Sequence, residues 1–573
     1  MNLVCINSES VFVKDKENLL IGEWCLSNDI NLSKYKFDIF SNCQSFNEID
    51  RNFLITQNIY KFFFKKFYDF LNKVHCINEG EQFWSILLGE WFDRFIKVVV
   101  FRYSLLENIF SHHNISSFVN ISNDEVSSIC KNTHYFINIS NDPLRSNRIY
   151  FELINFFNKD VKIINKKNND PISSLSIKLK KFPNLFVDDN EPFISQTYLS
   201  KINQIKLHLS LKRLPRFWHV PEEIFVENDD LLREKLSKQF FFNLSLNSNW
   251  SKDEIKILYF LHKKIFIVLP NSLLKGFNLN YKYTDKLKLP KNPKFIFTSN
   301  FQTFHELFRF YAAKKNSLSS KIIYGQHGCN YGVAKYHANS TACEKSSTYF
   351  FTWGWKQAKN NIPMPMFFSI KKNKNYSKKA LLIFNCFSGE NYPYNNYLIT
   401  KNTMSKSLEF LGKVNNELKK NIICKFHNRN DSYNLYLKKK FSKQITEIDN
   451  KIKIVDKKNI NDLRKISRIS IHGYEGTSFL EDLNANRPFI CILQNDLSFV
   501  RDEVRSIFEE LIKYGVIFEK AALAADKFNR VFLDTDNWWN DRDLQKTLSN
   551  ARFTLARYSK NPHQEIFDFL KKI

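Results

Sequence analysis

The sequence predicts an α/β protein made of two doubly wound units that face each other. Short apolar runs recur from Phe295 onward, helix-like stretches separate them, and polar bends follow the runs at one end. Alternation of this kind is expected when parallel strands are joined by crossover helices.

The last third shows the pattern most clearly. ALLIFNCF from Ala380, NIICKFH from Asn421, IKIVD from Ile452, RISIHG from Arg468 and RPFICIL from Arg487 are strand-like. KSLEFLGKVNNELKK, NINDLRKIS and TSFLEDLNA between them are helix-like. Upstream, FIFTSN, a helix near Thr303 to Lys314, KIIYGQHG and TYFFTWGW read as a similar unit.

The first half reads as helical and loop material with few strand signals. Glu81 to Glu107 has no proline and places Trp84, Leu87, Leu88, Trp91, Phe92 and Phe95 at helical spacing, predicting one or two packed helices. Ile59 to Leu71, IYKFFFKKFYDFL, fits either a core helix with one solvated face or a helix lying on a membrane surface. The boundaries that follow are an amino-terminal α/β domain over 1–360 with helical insertions, a linker over 361–378 with two prolines and most of the run KKNKNYSKK, and a Rossmann-type domain over 379–573 whose last helix crosses back.

Composition excludes more than it identifies. At 573 residues the chain is too long for a single small module. Lys+Arg 85 against Asp+Glu 58 leaves a net charge of +27, a field that attracts anionic ligands, anionic membranes and nucleic acid alike. The ten cysteines form no CxxC pair and suit a reducing compartment. The absence of a leader-like start and of a long apolar run makes a cytoplasmic protein the expectation, with peripheral contact at an anionic membrane left open.

Three segments carry candidate chemistry. Tyr324-Gly-Gln326-His327-Gly328-Cys329-Asn330-Tyr331-Gly332 places three glycines and several directional polar groups after an apolar strand, which suits a phosphate or a sugar carboxylate. It matches neither the G-x-G-x-x-G loop nor the triphosphate loop. His327 is placed to donate to a phosphate or leaving-group oxygen, and Glu344 is the nearest carboxylate for an acid or base role, with capping or orientation of the histidine as the alternative.

In the second segment a strand ends at His472, a bend through Gly473 and Gly476 follows, and Thr477 and Ser478 open a helix carrying Glu481. A helix start of this kind favours an anion, and Glu481 is placed to accept from ribose hydroxyls. Ser478 and Glu481 also stand at the spacing of a simple capping box. In the third, Lys425, His427 and Arg429 alternate after NIIC and would project together from an extended chain toward a phosphate or carboxylate. No histidine or acidic spacing points to a metal site.

These residues resemble a bacterial surface-polysaccharide transferase family first described from spirochaete gene clusters. The matching words are GEWC at Gly22, WSILLGEW at Trp84, GQHGCNYG, Glu344 before TYFFTWGW, and HGYEGTSFLEDLNANRP. The chain is similar, more distantly, to transferases that use CMP-activated, Kdo-type ulosonic acids. The resemblance implies a GT-B-like fold of two facing Rossmann-type domains, with acceptor contacts in the first and donor contacts mainly in the second. It implies transfer of an ulosonic acid from a CMP-activated donor to a hydroxyl of a cell-surface glycan or lipid-linked precursor, with no permanently bound cofactor.

Gln326, Gly328, Asn330, Lys425, His427, Gly473, Thr477, Ser478 and Glu481 then fall on the donor, with His327 and Glu344 as catalytic candidates and Asp93 on the acceptor side. Cys329 stands where the family wording has a glycine, a departure that bears on the geometry of the turn. The competing readings are a UDP- or GDP-sugar-dependent glycosyltransferase and a non-catalytic polyanion-binding protein of polysaccharide assembly. Nucleic acid is the weakest of the anionic partners, because no groove-like run of basic and aromatic residues is present.

Overall fold

The structure is a computed structural model that describes residues 1–573 except 41–44, 123–129, 140–142, 158–159, 168–183, 185, 242–249, 329–330, 337–340, 371–377, 386–396 and 430. Its described strands form three sheets, and every pairing within them is parallel.

The first sheet comprises β1 (Asn2–Val4), β2 (Asn18–Leu20), β3 (Phe37–Ile39), β4 (Ser117–Ser122) and β5 (Lys162–Lys167), in the order β3-β2-β1-β4-β5. It corrects the expectation of few strands in this region. Three of its strands are only three residues long, and two of them carry a buried asparagine: Asn2 Nδ2 donates to Asn18 Oδ1 at 2.8 Å and to Val11 O at 3.0 Å.

Helices α1 (Phe46–His75) and α2 (Gly89–His112) pack together beside this sheet. A reciprocal cap starts α1: Glu48 N donates to Ser45 Oγ, and Ser45 N to the Glu48 carboxylate. Ile59, Phe63, Phe64, Phe67 and Leu71 are all buried and the Phe63, Phe64 and Phe67 rings meet Phe92, so α1 is a core helix and its apolar face is not available to a membrane. The stretch Glu81–Glu107 is two helices, interrupted at Leu88.

The second sheet has β6 (Phe193–Ile194), β7 (Phe295–Thr298), β8 (Lys321–Gly325), β9 (Tyr349–Thr352) and β10 (Asn361–Pro363) in sequential order. Asn361–Pro363, within the stretch expected as a linker, is thus its edge strand, paired with β9. Helix α3 (Lys201–Ser210) follows β6, and the short α4 (Thr341–Ser346) lies between β8 and β9.

The third sheet contains β11 (Ala380–Ile383), β12 (Ile422–Lys425), β13 (Lys453–Val455), β14 (Ile469–His472), β15 (Phe489–Ile492) and β16 (Ile517–Phe518), ordered β13-β12-β11-β14-β15-β16. That is the doubly wound order, whose direction reverses between β11 and β14 and opens a crevice beyond their carboxyl ends. Around it are α5 (Tyr397–Lys413), α6 (Ser432–Ile448) and α7 (Thr477–Asn484). The final helix, α8 (Pro562–Leu570), packs on α3, and its Ile566 and Leu570 join the core of the second sheet with Ile194, Phe297 and Ile323. The α/β class with facing Rossmann-type units is therefore present, with a third sheet added at the amino-terminal end.

Candidate active site

The GQHG loop begins where β8 ends. Gln326 is fully buried: its N donates to Phe351 O at 2.8 Å, while its Oε1 accepts from Trp353 N at 3.1 Å and Trp355 Nε1 at 2.8 Å. The amide therefore fixes the loop to the neighbouring strand β9. Its Nε2 is a buried donor without a hydrogen-bond partner among the described residues.

His327 leaves this anchor between two aromatic rings. Tyr198 stacks on it with centroids 6.1 Å apart and planes 18° apart, and Tyr331 meets it edge-on at 5.4 Å. Burial holds the imidazole below its ordinary pKa, with the negative charge of Glu90 opposing the shift. The ring is thus kept toward its neutral form, which has one N–H to donate and one nitrogen to accept.

Gly328 then brings the loop to the third sheet. Its φ of +149° is a conformation that favours glycine, and a Cβ built there would stand 3.2 Å from Thr477 Oγ1. Two segments 149 positions apart, at 328 and 477, therefore meet as one surface. Cys329 and Asn330 lie outside the described residues.

On the other side, Gly473 closes the switch point of the third sheet. Its N donates to Ile383 O at 3.2 Å, and a Cβ would come within 2.8 Å of Ser407 Oγ on α5. Helix α7 starts after Gly476 with no side-chain capping bond, so the capping-box alternative for Ser478 and Glu481 is not realised. Its first turn carries the positive end of the helix dipole.

Ser478 is instead held by a buried relay. His472 Nδ1 lies 3.2 Å from Ser478 Oγ, and its Nε2 lies 3.0 Å from Asp482 Oδ2. Arg464 Nε and Arg487 Nε approach Asp482 Oδ1 at 3.2 and 3.3 Å, within ion-pair range but not aligned as hydrogen bonds. Burial alone would raise the Asp482 pKa, yet Arg464, His472 and Arg487 outweigh it and hold the carboxyl well below the usual range. Burial pushes His472 down, against the pull of Asp482. Glu481, expected to meet ribose, pairs with Arg464 Nη1 at 2.6 Å, and burial raises its pKa against that pairing.

Lys425 ends β12, but its ammonium donates to Phe426 O at 2.9 Å, to Asn428 Oδ1 at 2.6 Å and to Asp456 O. All three of its protons are engaged by the protein, and burial lowers its pKa. His427 lies beyond it with its side chain open to solvent, yet crowding by the surrounding protein, with the charges of Arg429 and Lys425, lowers its pKa, while Arg429 pairs with Asp431. The expected trio does not project as one group: Phe426 is buried against Phe384, and each cation has a different environment.

The carboxylates lie in the wall made by α2 and α4. Asp93 is buried in an ion pair with Lys97 at 2.6 Å. Glu344 has Arg501 Nη2 at 4.0 Å, and burial raises its pKa against Arg501, Lys345 and Lys97. Arg501 arrives from the third-sheet side: its N donates to Val333 O at 2.8 Å, its Nε to Ala334 O at 3.2 Å and its Nη1 to Gln357, and its guanidinium lies over Trp355.

Glu90, in the first turn of α2, is the buried carboxylate whose field reaches His327. Glu90 lies within the WSILLGEW word, but nothing local in the sequence marks its approach to His327, and the placement of Asp482, Arg464, Glu475 and Arg501 is equally unmarked. Glu475 is buried beside the switch point, accepts from Gln494 N at 3.1 Å, and has its pKa raised by burial. Among the described residues no group of three His, Cys, Asp or Glu is arranged to hold a metal ion.

The profile of the LIC12162 family transferases matches residues 1–570. The chain belongs to the LIC12162 family of transferases. No curated protein matches it. Solved structures similar to this family member include MurG of Acinetobacter baumannii, at 10% identity over 52% of this chain and 78% of that one with a TM-score of 0.30. HepE of Anabaena in complex with UDP and glucose matches at 9% identity over 55% and 89%, with a TM-score of 0.34. The UDP-forming trehalose-phosphate synthase of Burkholderia vietnamiensis matches at 9% over 55% and 82%, with a TM-score of 0.33.

Proposed function

We propose that the chain is a glycosyltransferase that moves a Kdo-like or related nonulosonic acid from a CMP-activated donor to a hydroxyl of a cell-surface glycan or lipid-linked precursor. The observation that carries this reading is the meeting of Gly328 with Thr477, which joins a glycine loop of one parallel sheet to a helix start of another that has glycine at its N-cap. One helix start suits the single phosphate of a CMP donor, and the resemblance of the GQHG and HGYEGTSFLE segments favours the same donor.

In this reading the first N–H groups of α7, with the Thr477 and Ser478 hydroxyls, hold the phosphate, and the relay through His472 and Asp482 orients Ser478. The acceptor oxygen attacks the anomeric carbon, its proton passes to a carboxylate, and the bond to the phosphate oxygen breaks with its electron pair leaving on CMP. His327 donates its N–H toward that oxygen.

Glu344 is assigned as the base, since burial already favours uptake of a proton. Glu90 is the second candidate because of its field at His327. Asp93 acts through its ion pair with Lys97 on the acceptor side, and Lys425 shapes the turn that presents His427. The reaction takes place on the cytoplasmic side, and contact with an anionic membrane brings the enzyme to its acceptor.

The test is a panel of CMP-ulosonic acids and UDP- and GDP-sugars with soluble and lipid-linked glycans, read by nucleotide release and product mass. CMP release with a mass gain of one ulosonic acid is expected. UDP or GDP release alone replaces the donor assignment, and saturable glycan binding without turnover overturns the enzyme. His327→Ala is expected to lower kcat by about 100-fold or more at an unchanged melting temperature.

A further inference from the structure

We infer that the outer face of α3 and the segment that follows it form a docking surface for an anionic lipid bilayer. From Pro192 to Pro221 the sequence contains no Asp or Glu, while Lys201, Lys206, Lys212, Arg213 and Arg216 fall within it. In the same stretch Ile202 is 66% exposed, Leu209 57%, Leu214 74% and Phe217 60%.

The arrangement on α3 is two-sided. Gln204, Leu207 and His208 are buried, and the helix packs on α8. Ile202, Lys206 and Leu209 follow at intervals of four and three residues, which places them on one stripe opposite the buried side. Leu214 and Phe217 continue the exposed apolar set beyond the helix, and Lys201 and Lys212 are also exposed.

Two of the cations are already paired. Arg213 bonds Asp188 at 2.6 Å, and Arg216 bonds Glu191 at 2.8 Å while lying over Trp218. Lys201, Lys206 and Lys212 remain directed to solvent between the apolar side chains. Apolar groups that insert at the headgroup boundary, set among lysines on a stretch that itself carries no acid and whose neighbouring Asp188 and Glu191 are neutralised by Arg213 and Arg216, complement an anionic bilayer. A protein groove would cover the Leu and Phe side chains but gives no reason for thirty residues without a carboxylate, and a nucleic acid would use the lysines but leave Leu214 and Phe217 in water.

The surface also lies next to the chemistry. Tyr198, three residues before α3, stacks on His327. A bilayer seated on α3 would therefore hold a lipid-borne acceptor near the catalytic loop. This use of the surface rests on the lipid-linked acceptor proposed above, whereas the binding itself does not. Among the described residues no helix is long and apolar enough to cross a membrane, so attachment here is peripheral.

The experiment is vesicle flotation of the full chain with phosphatidylcholine alone and with phosphatidylcholine mixed with phosphatidylglycerol. Binding to the mixed vesicles, weakened by salt and absent on phosphatidylcholine alone, is expected. The paired variant Leu214→Glu and Phe217→Glu is expected to lower binding by about tenfold or more. Each of Lys201→Ala, Lys206→Ala and Lys212→Ala is expected to lower it by about fivefold.

Leu523→Glu, at an exposed apolar position in the third-sheet helix Ala521–Val531, controls for general surface change and is expected to bind as the parent does. All substituted side chains are exposed, and thermal melts check that each variant folds. Unchanged binding in the paired variant, equal binding to both vesicle types, or no binding to either overturns the surface. Nucleic-acid capture lost in the lysine variants while vesicles are ignored also overturns it. Vesicle binding through this face by a chain that releases no CMP supports the surface and removes only the donor assignment.

Discussion

Replacing Asp482 with asparagine tests the buried relay behind the start of α7. The side chain is fully buried, and one carboxylate serves three partners: His472 at 3.0 Å, Arg464 at 3.2 Å and Arg487 at 3.3 Å. Asp482→Asn keeps the shape and removes the charge, so two buried guanidinium groups lose their shared counter-ion. Arg464 retains Glu481 at 2.6 Å, whereas Arg487 keeps only backbone acceptors, Arg464 O at 2.8 Å and Ser467 O at 3.2 Å.

Breaking a buried pair from one side costs about 3–5 kcal/mol. In a domain of this size each kcal/mol lowers the melting temperature by about 2–4 °C, giving a fall of about 6–20 °C. The assay is a calorimetric or fluorescence melt of the full chain, alone and with Arg487→Met. The double variant removes the stranded cation and should regain part of the loss. A single variant melting within about 2 °C of the parent, or a double variant lower by the sum of the two single effects, would refute the shared-charge argument.

The pH dependence has a definite sign. Because the folded pKa of Asp482 is depressed, its contribution is present above the unfolded carboxylate range and is lost only in strong acid, as pH falls through the folded value. The depressed value of His472 acts earlier: stability should begin to fall as pH drops below about 6.5, where the unfolded imidazole takes up a proton. Acid melts of His472→Gln should show a shallower early decline, the remainder coming from the other histidines held below their ordinary pKa, His75, His305 and His327 among them.

Three further outcomes are expected. With Glu344 as the base and its pKa raised, the acid limb of kcat/KM should lie above the usual carboxylate range, and Glu344→Gln should remove both that limb and most of the rate; an unchanged profile transfers the role to Glu90→Gln. Gly328→Ala places a Cβ against Thr477 at a φ of +149°, costing about 1–3 kcal/mol and raising the donor KM, as measured by steady-state kinetics. Lys425→Met leaves two carbonyl oxygens and the Asn428 amide without their donor, so a melt should show a loss of about 1–3 kcal/mol, while donor affinity should fall less than in Gly328→Ala.

The third sheet was legible because its strands are near-continuous apolar runs bounded by helices, as in Ala380–Ile383 and Phe489–Ile492. The first sheet was not. Asn2 and Asn18 occupy strand positions because their amides bond to each other, and β5 carries three lysines in six residues at the sheet edge. The glycine-rich loop and the α7 start were readable as motifs, since glycine needs and helix starts are local. Which carboxylate faces them was not, because Glu90 reaches His327 only through the packing of α2, and Lys425 is engaged by the carbonyl of Asp456, which lies 31 residues further along the chain.

The bridge between Ala334 and Val500 bears on how the halves of the molecule can move. Lys335 N donates to Phe499 O, and Arg501 N to Val333 O, both at 2.8 Å, so the chain after the GQHG loop is stitched to the chain after β15. Sliding one half past the other would break both bonds and pull Arg501 from its bed beside Trp355 and Glu344. Sliding is therefore opposed at the point where the chain leaving the GQHG loop meets the Arg501 turn, and the same contacts keep the Arg501 guanidinium at the side of Glu344.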